Sequence, residues 1–275
     1  MNTAIRIVTC LFFLILSTSA SSSDVNSQNA KVITIVDGGD LIGYPPYYYY
    51  PKSTLGTKEQ APKGFIVDKI RTAAEDAGLE VNWVSVPFKR AIMMMQKGEV
   101  DAMFPVIQTQ DRKAYMYFKD LELAKECNHL VTLKSRGLKA NATSYEIRED
   151  DVIGITDAYS YGKYFDDLIN SGKVKTIKVS EDRQLTRLLL SKRIDMAIGN
   201  QLTMSWHLEQ FGAVKNVVFS EKSLSCSPLH LAFSRHKAGF KTISKILADS
   251  FKKLDTHKSK VSGVSSKHYR LIHDE

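Results

Sequence analysis

The sequence lacks the motifs by which several enzyme classes are recognised. It contains no Gly-x-Ser-x-Gly elbow, no His-Glu-x-x-His pair and no glycine-rich loop that would cradle a phosphate. Its seven histidines do not show a spacing typical of metal ligands. We therefore expect a protein that is not an enzyme and that carries neither a metal site nor another cofactor.

Long apolar runs are also scarce, because the stretch "CLFFLIL" near the amino terminus has no counterpart downstream. Arg6 precedes this stretch and the small residues "STSA" follow it, which is the pattern of a secretory signal peptide that ends at Ala20. The stretch is too short for a permanent transmembrane helix. Cys10 lies near its start rather than its end, which argues against lipid anchoring. The sequence thus predicts an exported, soluble protein.

Clustered basic residues are absent as well, although the formal net charge is +8 at pH 7. Removal of Arg6 with the signal peptide lowers this charge to +7. Since Lys and Arg are scattered, we do not expect nucleic acid as a partner, and an anionic ligand or an acidic partner surface is the milder interpretation.

Cysteines are few, and export leaves only Cys127 and Cys226 in an oxidising compartment. A disulfide between them is one interpretation. Two buried free cysteines are the alternative, because the sequence does not show whether their Cα atoms come within bonding range.

Alternating strand and helix patterns organise the chain after a Ser/Asn-rich leader. The first series begins with a strand at 31–36 and continues through a helix at 64–77, which predicts a parallel sheet with right-handed crossovers. Between these two elements lies a loop at 37–56, rich in Gly and Pro, for which we predict no regular structure. Its four consecutive tyrosines, 47–50, form either a rim or lid or an ordinary loop surface.

The second half of the chain repeats the pattern of the first. The segment "MMMQKGEVDAMFP" is echoed by "RLLLSKRIDMAIG", which aligns Asp101 with Asp195 and predicts two topologically similar lobes. Extended segments after Tyr117 separate the two series. A closing amphipathic helix in "KTISKILADSFKKL" is expected to rejoin the first lobe.

Several segments, in this order and spacing, are similar to the family 3 solute-binding proteins, the periplasmic amino-acid receptors of ABC importers. They are "YPPYY", "GFIVDKIRTAAEDAGLEVNWVSVPF", "GEVDAMFPVIQTQDRK", "IDMAIGN" and "LHLAFSR". The resemblance covers essentially the whole mature chain. It implies a periplasmic α/β protein with the type II binding-protein fold, in which two lobes joined by two hinge strands close on a ligand.

The residue patterns place a signal peptide at 1–20 and a flexible leader at 21–30. For the rest of the chain, the resemblance implies the first part of lobe 1 at 31–126, lobe 2 at 127–226, and the return to lobe 1 with the C-terminal helix and tail at 227–275. The hinge crossings are expected near 125–131 and 226–231. Cys127 and Cys226 then lie at matching ends of neighbouring strands, which favours the disulfide.

A ligand site follows from the same resemblance. Arg112 would bind the ligand's carboxylate with two parallel hydrogen bonds, and its alternative is an exposed arginine in the first turn of a helix, where the helix dipole disfavours it. Thr109 would cap that helix. Ser160 would meet the same carboxylate at a helix N-terminus of the second lobe, or serve only as a cap.

The resemblance also assigns residues to the walls of the site, and at one position this sequence differs from the family pattern. Tyr44 and Phe88 match positions that pack against the ligand's side chain, with core packing as the alternative for Phe88. Asn200 stands where amino-acid receptors usually have an aspartate for the ligand's ammonium group. A neutral amide loses the charge-assisted part of that bond, which leaves open a ligand other than a common α-amino acid.

The resemblance predicts capture of a small polar, carboxylate-bearing solute by a monomer that delivers it to an ABC permease. A receptor for a membrane sensor or chemoreceptor is the alternative. A periplasmic enzyme of the cyclohexadienyl dehydratase type, on the same fold, is a further one, and it would need a general acid in the cleft. The sequence shows no obvious acidic residue at the matched positions, although Asp40 or Asp157 could approach.

Overall fold

A computed structural model describes residues 31–39, 42–51, 61–136 and 147–261, with side chains up to residue 254. The predicted signal peptide, the leader and Asp40 lie outside the described residues. The helices are α1 (Phe65–Asp76), α2 (Phe88–Lys97), α3 (Lys163–Asn170), α4 (Asp182–Leu190), α5 (Gln201–Gln210) and α6 (Phe240–Val261). The strands are β1 (Lys31–Asp37), β2 (Gly43–Tyr44), β3 (Tyr48–Tyr49), β4 (Leu79–Ser85), β5 (Ala102–Ile107), β6 (Met116–Leu133), β7 (Val152–Thr156), β8 (Lys175–Val179), β9 (Met196–Asn200), β10 (Val217–Phe219) and β11 (Ser225–Ser234).

The large sheet has the strand order β4-β1-β5-β11-β6-β9-β7-β8, and β10 adds to β6. At one end β1 pairs in parallel with β4 and β5, and at the other end β7 pairs in parallel with β8 and β9. Each end is therefore a parallel α/β unit of the predicted kind, because a helix connects each successive pair of parallel strands. This architecture confirms the two-lobed α/β fold.

The two aligned aspartates make the same contact in the two lobes. The Asp101 carboxylate accepts a hydrogen bond from the backbone N–H of Thr34 at 2.9 Å, and the Asp195 carboxylate accepts one from Val152, also at 2.9 Å. In both cases the donor lies in the first strand of its lobe. The sequence echo thus marks an equivalent position in two similar units.

Two long antiparallel strands, β6 and β11, connect the lobes. The predicted pair of extended segments after Tyr117 is one continuous strand of 18 residues. It pairs with β11 as far as Asn128 and with β9 from Asn128 onward, so it changes partner at that residue. Cys127 lies directly opposite Cys226 in this register, and the two form the disulfide. Of the two interpretations of the cysteines, free thiols is the wrong one.

The tyrosine-rich loop differs from the expectation of an irregular, surface segment. β2 and β3 form a short hairpin, and Tyr47, Tyr48 and Tyr50 are each at most 3% exposed, whereas Tyr49 is 47% exposed. Tyr47 donates its hydroxyl to the carbonyl of Lys125 at 3.1 Å, whereas Tyr48 and Tyr50 are held by the carboxylate of Asp37 at the end of β1. This carboxylate accepts hydrogen bonds from the hydroxyls of Tyr48 and Tyr50, which gives a buried charge the donors it requires.

The C-terminal helix α6 packs against α1, where the Ser250 hydroxyl donates to the Asp76 carboxylate at 2.7 Å. Lys253 lies 3.1 Å from the same carboxylate. Among the helices that the structure describes, none has both the length and the apolar character needed to cross a membrane.

Candidate functional site

A cleft lies beside β6 and β11, between the two lobes, and encloses about 380 Å³ of empty space, part of it open to solvent. Residues from both lobes line it, and four of them belong to the predicted site. These four are Tyr44, Phe88, Arg112 and Ser160.

Arg112 lies in the short connection between β5 and β6 and is only 6% exposed. The helix expected there is a single 3₁₀ turn, Arg112–Ala114, because β6 already begins at Met116. Thr109 precedes this turn, and its hydroxyl accepts the backbone N–H of Arg112 at 3.3 Å, which is the predicted cap. The alternative of a solvent-exposed arginine is therefore wrong.

The guanidinium of Arg112 connects the two lobes. Its Nη1 donates to the carbonyl of Ile107 at 2.8 Å, and its Nη2 donates to the carbonyl of Ala158 at 2.8 Å. Burial lowers the pKa of Arg112 below its usual value, but an arginine stays charged at neutral pH. No carboxylate of the described residues forms a salt bridge with it. The cleft thus holds a buried positive charge that lacks a direct anionic partner from the described part of the chain.

Aromatic rings form one wall of the cleft. The guanidinium carbon of Arg112 lies 5.2 Å from the ring centroid of Phe88, and the ring of Tyr159 meets Phe88 edge-on at 4.7 Å. Gly38 makes this arrangement possible, since a Cβ at that position would overlap the Phe88 ring. The arrangement gives the cleft an apolar surface beside its positive charge, as small-ligand sites require.

Glu126 is an acidic residue of the cleft that the sequence did not reveal. It is 7% exposed, and Tyr44 donates its hydroxyl to the Glu126 carboxylate at 2.9 Å. Burial raises the pKa of Glu126 to about 7, while the bond from Tyr44 acts in the opposite direction. The cleft therefore contains an acid at a position outside those that the resemblance matched. The one available signal was the position of Glu126 next to Cys127, in a predicted hinge strand.

A second buried carboxylate, Asp182, lies at the start of α4. The hydroxyl of Thr156 donates to it at 2.7 Å, and burial raises its pKa to about 6. The charge of Asp182 contributes to the raised pKa of Glu126. Asp182 is not among the residues that line the cleft, and its effect on Glu126 is electrostatic.

The other predicted residues have partners within the protein. Ser160 lines the cleft but donates its hydroxyl to the Asp166 carboxylate at 2.7 Å. The Asn200 side chain caps α5 by accepting the backbone N–H of Thr203 at 3.1 Å, and its Nδ2 donates to the hydroxyl of Tyr47 at 3.2 Å. Asn200 does not line the cleft, so the structure offers no contact between it and a ligand there.

The rim of the cleft is connected by an ion pair. Lys89 of α2 lies 2.9 Å from the carboxylate of Asp157, which follows β7 in the other lobe. Asp157 therefore pairs across the rim, where it lines a pocket that adjoins the cleft and shares Arg112, Tyr159 and Ser160 with it. Together with the bond from Arg112 to Ala158, this pair holds the two lobes in contact.

Comparisons with known proteins agree with this architecture. The sequence model of the bacterial extracellular solute-binding proteins, family 3, matches residues 41–178. Solved structures share the fold. Holo ArgBP from T. maritima has a TM-score of 0.65 and 15% identity, with 82% of this chain and 90% of that chain covered. An ABC uptake transporter substrate-binding protein from Streptococcus pneumoniae with bound histidine has a TM-score of 0.66 and 19% identity, with 82% of this chain and 88% of that chain covered. A histidine kinase sensor domain with similarity to periplasmic binding proteins has a TM-score of 0.68 (16%; 83% and 92%). The search of curated proteins found no significant match to the sequence.

Proposed function

The chain belongs to the bacterial extracellular solute-binding proteins of family 3, and on that basis we propose that it captures a small, carboxylate-bearing, amino-acid-like solute in the cleft between its lobes. Delivery to an ABC permease of the cell membrane is the role we assign to the loaded form. Solved structures of the same fold include amino-acid receptors, which supports this choice.

The observation that carries the proposal is the buried guanidinium of Arg112. A charge removed from water is costly unless it is paired, and two carbonyls compensate it only in part. A guanidinium has five N–H donors, so it can bind a carboxylate with a fork of two bonds in addition to these carbonyls. The aromatic wall beside it would cover the ligand's apolar atoms.

A thermal-shift screen of amino acids, organic acids and small peptides tests the proposal, because a ligand that binds only the folded state raises the melting temperature. We expect at least one carboxylate-bearing compound to raise the melting temperature of the wild type but not that of Arg112→Ala. Lys113→Ala is the matched control, since it removes an exposed positive charge one residue away. A screen in which no carboxylate stabilises the wild type would contradict the proposal.

A receptor for a membrane sensor is the second candidate, favoured by the similarity to a histidine kinase sensor domain. The two roles differ in what loss of the protein does to the cell. Loss of uptake of the labelled solute in a deletion strain would support the permease, whereas intact uptake with a lost transcriptional or chemotactic response would support the sensor.

We further propose that the solute leaves the cleft unchanged. Glu126 is the residue that a dehydratase on this fold would use as its general acid, because it is buried in the cleft with a pKa of about 7. Incubation with prephenate or arogenate distinguishes the alternatives. We expect no aromatic product, and a product that disappears in Glu126→Gln would establish the enzyme instead.

A further inference from the structure

We infer that Glu126, and not Asn200, is the group that receives the cationic amine of the ligand, so that the cleft selects zwitterions over plain carboxylates. This inference rests on the proposed function, since it assigns the second half of the same site. It names α-amino acids, and other ligands with an amine close to a carboxylate, as the ligand class.

The first step concerns Asn200, the position at which the sequence departs from an aspartate. Its amide is engaged at both ends, with Oδ1 on the N–H of Thr203 and Nδ2 on the hydroxyl of Tyr47. An asparagine at a helix N-cap has a sufficient structural reason to be there. The neutral amide therefore says nothing about the charge of the ligand.

The second step concerns the location of Glu126. It lines the same cavity as Arg112, and among the described lining residues it is the one acidic side chain. The two groups come from different elements, since Glu126 lies on β6 and Arg112 on the turn before it. Tyr44 fixes one carboxylate oxygen by its hydrogen bond at 2.9 Å. One cavity therefore contains both a fixed cation and a fixed carboxylate.

The third step is electrostatic. Opposite charges a few ångströms apart attract far more strongly in a partly buried site than in bulk water, because the effective dielectric is lower. A zwitterion presents its carboxylate to Arg112 and its ammonium to Glu126, so both buried charges gain a partner. A plain carboxylate would satisfy Arg112 but would place a negative charge near Glu126, which must then take up a proton or repel the ligand.

A purely structural role for Glu126 makes a different prediction. If the carboxylate only positions Tyr44, its loss should lower the affinity for zwitterions and the affinity for plain carboxylates to the same extent. The selectivity between matched ligands, rather than the affinity alone, therefore distinguishes the two roles.

Calorimetry provides this test with three probe pairs: L-glutamine and 4-carbamoylbutanoate, L-arginine and 5-guanidinopentanoate, and L-glutamate and pentanedioate. Within each pair only the α-amino group differs. For a pair that the wild type binds, we expect Glu126→Gln to lower the affinity for the amino acid at least tenfold. The affinity for its des-amino counterpart should fall less than threefold. Glu122→Gln, the same change at an exposed site of β6, should alter neither affinity.

The outcomes separate this inference from the proposed function. Equal weakening of both members of a pair, or no weakening, overturns the role of Glu126 while binding through Arg112 stands. A wild type that binds des-amino acids better than amino acids also overturns it. A wild type that binds no member of any pair removes the proposed amino-acid function, and the inference with it.

A second measurement uses the wild type alone and so does not depend on the folding of a variant. Among the described residues, the charged and titratable groups that interact with Glu126 are Arg112, Asp182, Tyr44 and Tyr161. Since Glu126 ionises near neutral pH in this setting, affinity for L-glutamine should rise at least threefold from pH 6 to pH 8. Affinity for 4-carbamoylbutanoate should not rise over the same range. A parallel rise for both probes would overturn the inference.

Discussion

Replacing Glu126 with Gln should stabilise the ligand-free protein at alkaline pH. The carboxyl has its usual pKa of 4.5 in the unfolded chain and a pKa of about 7 in the folded protein, because burial disfavours its charge. The folded state therefore keeps a proton that the unfolded state has already released. The stability that this protonated carboxyl contributes is fully present below about pH 4.5 and is lost as the pH rises through 7.

The size of this effect follows from the two pKa values. Between the acid limit and pH 8 the wild type loses up to about 3 kcal/mol of folding free energy through this group, since each factor of ten in the ionisation equilibrium is worth about 1.4 kcal/mol. A neutral amide avoids most of that loss and its oxygen can still accept from Tyr44. For a chain of this size, ~2–3 kcal/mol corresponds to a rise in melting temperature of several degrees.

Differential scanning calorimetry of the ligand-free proteins at pH 5 and pH 8 measures the effect. We expect Glu126→Gln to melt several degrees above the wild type at pH 8 and within about 2 °C of it at pH 5. Glu122→Gln is the control, because the Glu122 side chain is exposed and lies on the same strand. An equal gain at both pH values, or a loss at pH 8, would refute the reasoning that burial of this charge destabilises the fold.

Three further predictions concern the hinge and the cleft. Intact-mass measurement after alkylation without reductant should find no modified thiol at Cys127 or Cys226, and two alkylated thiols would contradict the disulfide. The Cys127→Ser/Cys226→Ser double variant should lose at most ~4–5 kcal/mol of folding free energy, because the bridge joins residues 99 positions apart. Small-angle scattering should show a smaller radius of gyration with a bound ligand, because lobes joined by two strands can close by a hinge, and an unchanged radius at saturation would count against closure. Asn200→Asp should change the preference for zwitterions less than threefold, since this residue caps α5 outside the cleft, and calorimetry that shows a larger gain would return the ammonium site to this position.

The fold was largely predictable because its determinants are local. The spacing of apolar residues along the chain defines each strand and helix. The aligned Asp101 and Asp195 mark equivalent positions in the two lobes. The continuity of β6 was less evident, because polar residues such as Asn128 interrupt its apolar pattern. Its length became visible only once β11 and β9 were placed on either side.

The candidate site was predictable only in part. Family likeness pointed to Arg112, whose type and position suit a carboxylate, but its partner carbonyl at Ala158 is supplied by the other lobe. The pair of Tyr44 and Glu126 joins residues 82 positions apart, so no local pattern connects them. Burial and raised pKa are properties of the assembled cleft, and therefore Glu126 looked like an ordinary polar residue of a strand.

The buried tyrosines illustrate the same limit. Four consecutive tyrosines in a loop with Gly and Pro are typical of a surface segment. Tyr48 and Tyr50 become buried because Asp37, at the end of the preceding strand, needs hydroxyl donors in the interior, and the buried Tyr47 donates its hydroxyl to the carbonyl of Lys125 instead. That requirement exists only after β1 and β4 enclose the carboxylate, so composition alone could not reveal it.

Titration calorimetry of the wild type, Arg112→Ala and Lys113→Ala with the tightest ligand of the screen tests solute capture most directly. Loss of one partner of a buried charged pair typically costs ~2–5 kcal/mol, so Arg112→Ala should weaken binding at least tenfold, while Lys113→Ala should bind like the wild type. Arg112→Lys keeps the charge but lacks the fork, and its affinity should also fall. An Arg112→Ala protein that folds normally and binds the ligand as tightly as the wild type would contradict the assignment of this arginine to the ligand's carboxylate.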